Sequence, residues 1–186
     1  MPVTINGSGS IAGLAAGGIS GAGAIASGAI TSSALPTGSV IQVVEGTTES
    51  RVQITSGTGT WHDTNLKATI TPSSASSKVL VLVNASIHTG NTSSAALTVF
   101  RGGTGGTNIG SSGGYGLLQV HGTGTSGGGG GTQNGGMVKL DSPNTTSATE
   151  YIVKAKRVWA GAGGDTKFPS SNNYEKATIT LLEIAQ

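Results

Sequence analysis

Residues 1–44 carry no charged side chain; the first charge in the chain is Glu45. Glycine, serine and alanine fill most of that stretch, and aliphatic residues occur singly at Ile5, Ile11, Leu14, Ile19, Ile25, Ile30 and Leu35. Their spacings of 6, 3, 5, 6, 5 and 5 residues fit neither the two-residue period of a strand nor the 3.6-residue period of a helix. Glycines crowd residues 7–23 and oppose a free helix, at about 1 kcal/mol each relative to alanine; residues 25–35 could form a short helical turn. The reading is an extended glycine-rich N-terminal arm, residues 1–39. Its small residues permit close approach, and Ile5, Ile11, Leu14, Ile19, Ile25 and Ile30 anchor it in pockets of a partner. A disordered leader is the alternative, but disordered segments rarely keep so many β-branched apolar residues without charge. Pro36-Thr37-Gly38 is a turn signal that ends the arm.

The remainder, residues 40–186, alternates like a sheet protein. Residues 39–44 read as a first, largely apolar strand, with a short one possible at 51–55. Residues 66–71 alternate cleanly and stop at Pro72. Residues 78–87 form the strongest strand: Val79, Val81, Val83, Ala85 and Ile87 share one face, while Leu80 and Leu82 start the other. Further strands are expected at 95–101, 115–121, 136–140, 150–159 and 175–185. In the long strand at 150–159, Tyr151, Val153, Ala155 and Arg157 oppose Ile152, Lys154, Lys156 and Val158. In the last strand, Ile179 and Leu181 oppose Leu182 and Ile184. Gly/Ser/Thr-rich turns connect these elements, and residues 160–173 read as a loop. About eight strands without a convincing helix predict an all-β fold, an antiparallel β-sandwich of jelly-roll type. Strands that are aliphatic on both faces predict packing against copies of the chain, with a homotrimer favoured.

Only 10% of the residues are charged, against the usual quarter or so. That shortfall reads as surface buried in an assembly, or as a Ser/Thr/Gly surface that stays wet without charge. Ten basic and eight acidic residues leave a net charge of +2, with no basic run; Lys154, Lys156 and Arg157 form the densest group. Nucleic-acid binding has little electrostatic footing on such a chain. There is no cysteine, hence neither a disulfide framework nor a thiolate metal site. The N-terminus lacks the basic start of a signal peptide. No 18-residue apolar run marks a membrane span.

Reactive constellations are scarce. His62, His88 and His121 are the only histidines and show no ligand spacing. Most of the carboxylates Asp63, Asp141, Glu150, Asp165 and Glu175 fall near expected turns, where such residues cap chains. No G-x-S-x-G sequence occurs, and the glycines at 102, 103, 105 and 106 lack the Lys-Ser/Thr of a phosphate loop. The expectation is a protein that is not an enzyme and needs no metal or cofactor. Trp159, Phe168 and Tyr174 flank one expected loop and could form an aromatic patch for a sugar face; the alternative has Trp159 closing the end of the core.

Several segments carry a resemblance: residues 66–83 (LKATITPSSASSKVLVLV), 100–102 (FRG), 140–148 (LDSPNTTSA), 151–154 (YIVK) and 178–185 (TITLLEIA). Residues 6–14 (NGSGSIAGL) and the junction LPTGSVIQVV at 35–44 add to it. Together they cover most of the chain, and as a set it resembles a widespread group of small structural proteins of tailed bacteriophages. The group is common in marine and cyanobacterial phages and in tail-fibre-like proteins. The resemblance implies a virion component and a trimer of β-sandwiches. Fibre members are often longer, with repeats or a coiled coil before the tip, and this chain shows no such shaft. The expected role is therefore a capsid decoration protein, of cement or head-fibre type, held by its arm to the major capsid protein or another virion protein. The alternative is a tail fibre or spike tip that recognises a host-surface glycan.

Overall fold

The computed structural model describes residues 34–55, 58–90, 93–111, 114–122, 130–160, 164–170 and 175–186. The chain divides into two units, Met1–Leu35 and Pro36–Gln186, and the architecture is that of the second. Its first residues already belong to the body: the Gly38 amide donates to Ala185 O at 2.8 Å, and the Ala185 amide to Ser39 O at 2.9 Å. The anchoring positions Ile5, Ile11, Leu14, Ile19, Ile25 and Ile30 lie outside the described residues.

Eleven strands are described: β1 Val40–Thr48, β2 Val52–Ile54, β3 His62–Ile70, β4 Lys78–Thr89, β5 Ser93–Arg101, β6 Thr107–Asn108, β7 Leu118–His121, β8 Gly131–Asp141, β9 Thr149–Ala160, β10 Thr166–Phe168 and β11 Ala177–Ile184. All pairings are antiparallel, and they form two sheets. In the six-stranded sheet, β8 runs along one whole edge of β4. The other edge of β4 is shared, with β11 and then β1 beyond its first part and β10 and then β2 beyond its last residues. In the five-stranded sheet the order is β3-β9-β5, and β7 and β6 share the far edge of β5. The fold is an all-β sandwich of two antiparallel sheets.

Alternation places the core between the sheets. Val79, Val81, Val83, Ala85 and Ile87 of β4 face Leu66, Ala68 and Ile70 of β3, Leu97 and Val99 of β5 and Tyr151, Val153 and Ala155 of β9, with Ile179 and Leu181 of β11 completing the layer. The sheets approach closely where side chains are missing. A Cβ at Gly46 of β1 would stand 1.9 Å from Lys67 O on β3, and one at Gly135 of β8 would stand 2.3 Å from Leu118 Cδ2 on β7. Those two glycines let the edges of the sandwich close.

Two short strands differ from the sequence expectation. Residues 160–173, read as a loop, contain β10, and β6 lies in the glycine turn after β5. Two or three residues are too few to show a period. β10 forms because β4 runs past β11, leaving Thr89 and His88 to pair with Thr166 and Lys167. β8 likewise begins at Gly131, ahead of the expected 136, since backbone pairing to β4 needs no side chain.

One end of the core is polar. Across the six-stranded sheet, Gln42, Glu183, Val79 and Asp141 stand in one inward row. Glu183 is fully buried. Its carboxylate accepts from Gln42 Nε2 at 2.6 Å and from both the Ser73 amide and hydroxyl at 2.7 Å. Burial alone would raise its pKa; the hydrogen bonds from Gln42 and Ser73 outweigh that and hold it below the ordinary glutamate value. At the other edge, Arg101 Nη1 of β5 donates to both Asp141 oxygens at 3.0 and 2.9 Å and to Ser142 O at 2.9 Å. The buried Tyr151 hydroxyl of β9 donates to Asp141 Oδ2 at 2.8 Å. Its pKa is driven upward by burial first, then by the bond to Asp141 and that residue's charge. Asp141 on β8 thus ties one sheet to two strands of the other.

Replacing Glu183 by alanine strands the Ser73 amide and hydroxyl and leaves Gln42 Nε2 only its bond to Thr71 O, and should cost about 3 kcal/mol in chemical denaturation, since bonds to a charged group contribute about 1.5–3 kcal/mol. The folded pKa of Glu183 is lowered, so its contribution is fully present above the ordinary value of 4.5 and is lost as pH falls through the folded value. Melting temperature should therefore drop on acidification below that point, and Glu183→Gln should flatten that part of the curve. Asp141→Ala leaves the Arg101 charge and the Tyr151 hydroxyl without their partner, and should cost about 3 kcal/mol against about 1 kcal/mol for Tyr151→Phe. Equal losses from the two variants would show that Arg101 draws nothing from the carboxylate.

Candidate functional site

The outward side of the six-stranded sheet inverts the usual pattern at the same end. The row next to Gln42, Glu183 and Asp141 reads Val43 on β1, Leu182 on β11, Leu80 on β4 and Leu140 on β8, paired in that order. These four side chains point away from the core. The following row adds Leu82 opposite Val138. With strands spaced about 4.8 Å apart, the aliphatic row is about 14 Å wide. Val43 is 59% exposed, Val138 67% and Leu140 49%, whereas Leu80, Leu82 and Leu182 are partly shielded by their neighbours. Charge appears only at the margins of the patch, at Glu45 opposite Thr180 and Lys78 opposite Ile184. Beyond Leu82 the same face turns to amides and hydroxyls, with Thr178 opposite Asn84 and Ser86 opposite Asn134.

The outer side of the five-stranded sheet is covered by the protein's own groups. Lys154 Nζ pairs with Asp63 at 2.9 Å, donates to Thr104 O and lies 4.5 Å from the Phe100 ring centre. Lys156 Nζ lies 4.5 Å from the Trp61 ring centre, and Trp61 meets Phe100 edge-on at 6.1 Å. Burial lowers the Lys156 pKa. Burial would raise that of Asp63, but bonds from Thr104 and Lys154 and the nearby lysine charges bring it below the ordinary value. Lysine stems here cover aromatic surface and keep their charged ends near partners. The densest basic group of the sequence is thus consumed by the fold: Lys154, Lys156 and Arg157 are all buried, with Arg157 Nη1 donating to Thr55 O.

The expected aromatic patch is not assembled as read. Phe168 is fully buried in the core: β10 pairs with β2 at Phe168–Val52, and that register turns the ring inward. It is withdrawn from any exposed patch. Trp159, at the end of β9, is 58% exposed and does not close the core. Tyr174 lies outside the described residues. The histidines also stay apart. His88 Nδ1 is 3.4 Å from Thr132 Oγ1 and its Nε2 is 4.0 Å from Asp165, its pKa lowered by burial and by the Lys167 charge. Among the described residues no group of histidines and carboxylates could hold a metal ion, and no helix is long and apolar enough to cross a membrane.

Sequence periodicity located Leu80, Leu82, Leu182 and Ile184 as a second aliphatic face. It did not single out Val43, Val138 and Leu140, although Gly136, Val138 and Leu140 alternate with Met137 and Lys139. The aliphatic sheet face is the candidate site, and what it can do is exclude water against another apolar surface. Comparison of the sequence with protein-family models finds no match, and comparison with curated proteins finds none.

Proposed function

We propose that the protein is a non-enzymatic structural component of a bacteriophage virion, a capsid decoration protein of cement or head-fibre type. On this reading it is a homotrimer of sandwich bodies, bound through residues 1–39 to the major capsid protein or another virion protein. It works without cofactor, nucleic acid or membrane. The observation that carries the reading is the uncharged aliphatic row of Val43, Leu182, Leu80 and Leu140, with Leu82 and Val138 beside it. A large aliphatic side chain contributes about 1.5–3 kcal/mol when fully buried. A face that holds several of them in water is a face for another protein.

The finer fold assignment is a jelly roll. Its support is the order of the eight principal strands, β1, β3, β4, β5, β7, β8, β9 and β11. Numbered in that sequence, one sheet runs first, eighth, third, sixth and the other second, seventh, fourth, fifth. That is the order of two interlocked Greek keys, an architecture that viral capsid domains use widely. In this reading the arms act together. Each ordered residue gives up about 1–2 kcal/mol of backbone entropy, which buried isoleucines and added main-chain hydrogen bonds offset. Three linked arms then raise one another's effective concentration at the shell.

A tail fibre or spike tip binding a host-surface glycan is the second reading, favoured by the exposure of Trp159 alone. Copies per particle separate the two: tens to hundreds over the head for a decoration protein, a few at the tail vertex for a tip.

Native mass measurement of the purified chain should give a trimer at micromolar concentration. Val138→Asp, at an exposed position, should shift that mass toward monomer while changing body stability by less than about 0.5 kcal/mol. A wild-type chain that stays monomeric would remove the interface. Deleting residues 2–35 should leave a folded body that no longer joins particles. Ile19→Asp should weaken attachment by several kcal/mol per buried site, on the order expected for an uncompensated charge. Truncated protein that still decorates at full occupancy would move the anchor into the body.

A further inference from the structure

Gly135 and Gly136 are neighbours on β8 and face opposite ways. Leu118 occupies the space a side chain at 135 would need. At 136 nothing does: a Cβ there would meet only Val83 O, at an ordinary 3.6 Å. A glycine inside a strand weakens it, and often marks a place where a ligand or another backbone comes close. Beside Gly136 lies a depression of 240 Å³ on the outer face of the six-stranded sheet, lined by Asn84, Ala85, Ser86, Asn134, Glu175 and Lys176. Asn84 sits directly opposite Gly136, and Asn134 opposite Ser86. Val138 and Leu82 form the next row of the same face. The Glu175 carboxylate is held in place by the hydroxyls of Ser86 and Ser170, and Ser86 Oγ in turn accepts from the Ser170 amide at 3.1 Å.

We propose that this depression is a saccharide-binding site for a single sugar unit lying against Asn84 and Asn134, beside Gly136. Two amides offer donors and acceptors, a fixed carboxylate accepts from hydroxyls, and the Lys176 ammonium, 3.4 Å from Glu49, stands at the margin. At 240 Å³ the space is below the roughly 300–1,000 Å³ of sites for drug-sized ligands, which fits one unit with the rest of a chain outside. A metal ion is not part of the proposal, and neither is Trp159. The site stands independently of the virion reading: a decoration protein without it remains a decoration protein.

The test is titration of the full-length chain with glucose, galactose, mannose and N-acetylglucosamine, followed through the backbone and side-chain amide signals of Asn84, Ser86, Asn134 and Gly136 by NMR. At least one sugar should move these signals to saturation. Gly136→Val puts apolar bulk beside Asn84 at the edge of the depression, where a Cβ meets only Val83 O at 3.6 Å, and should keep the melting temperature while weakening that sugar at least tenfold, about 1.4 kcal/mol. Asn134→Ala, at an exposed position, should weaken it comparably and serves if the valine variant folds poorly. Silence at these residues with every sugar up to about 100 mM, well beyond the millimolar range of weak binding, overturns the proposal. Undiminished binding by a folded Gly136→Val does so too. Shifts at these residues that follow protein concentration and ignore sugar would assign the depression to contact between copies and reject the saccharide.

Discussion

A carboxylate taken out of water must find donors, and Glu183 and Asp141 find theirs at one end of the sandwich. They stand in the same inward row of the six-stranded sheet, with Val79 between them. Gln42 and Ser73 satisfy one; Arg101 and Tyr151 satisfy the other. Because strand side chains alternate with period two, putting polar groups inward in this row fixes what points outward in the next. The outward neighbours are Val43, Leu182, Leu80 and Leu140. A slip of one residue in β11 would carry Glu183 into solvent and would also turn Ala177, Ile179 and Leu181 out of the core. The core aliphatics and the polar clasp around Glu183 therefore hold one register, and that register exposes the aliphatic face.

The chain's shortage of charge acquires a structural meaning from this arrangement. Of its few ionic groups, Glu183, Lys154, Lys156 and Arg157 are buried and Asp141 is largely enclosed. Such groups contribute less to stability than their number implies, since desolvation cancels much of the attraction. They do make alternative pairings costly. The middle of the outer surface of the six-stranded sheet is left to leucine, valine, threonine and asparagine, with charge at its margins at Glu45, Lys78, Glu175 and Lys176. The five-stranded sheet spends its lysines on Trp61 and Phe100 and closes its own outer face. The two sides of the sandwich are chemically unequal, and the inequality is written in the alternation of β4, β8 and β11.

Much of this was legible in the residues. The inward faces of β4, β9 and β11 followed from strict alternation, and the second aliphatic face of β4 and β11 was visible as well. The polar clasps were not. A glutamate in an alternating strand looks like a solvated residue, and only the fold brings Ser73 from the β3–β4 turn and Gln42 from β1 to it. The same holds for Arg101, Asp141 and Tyr151, which come from three strands. Each of these residues sits in an alternating strand or a polar turn, so the sequence shows the strands and not the joints between them. Phe168 was misread because a three-residue strand has no period to reveal which way its ring faces.

Gly135 and Gly136 condense the same reasoning into two positions. Within a sheet, a missing side chain is unfavourable unless something else takes its space. At 135 the occupant is Leu118, from the facing sheet, and the fold accounts for the residue completely. At 136 no side chain takes the space: a Cβ would meet only Val83 O at 3.6 Å, and Asn84 stands opposite. The inverted rows and the unfilled glycine lie on the same outward face and are independent of each other: one is a matter of which side chains were placed there, the other of one left out. Internal stability explains neither, since exposed leucines and a bare glycine both lower it. Both become intelligible when the outer face of the six-stranded sheet is the surface on which this protein meets other molecules.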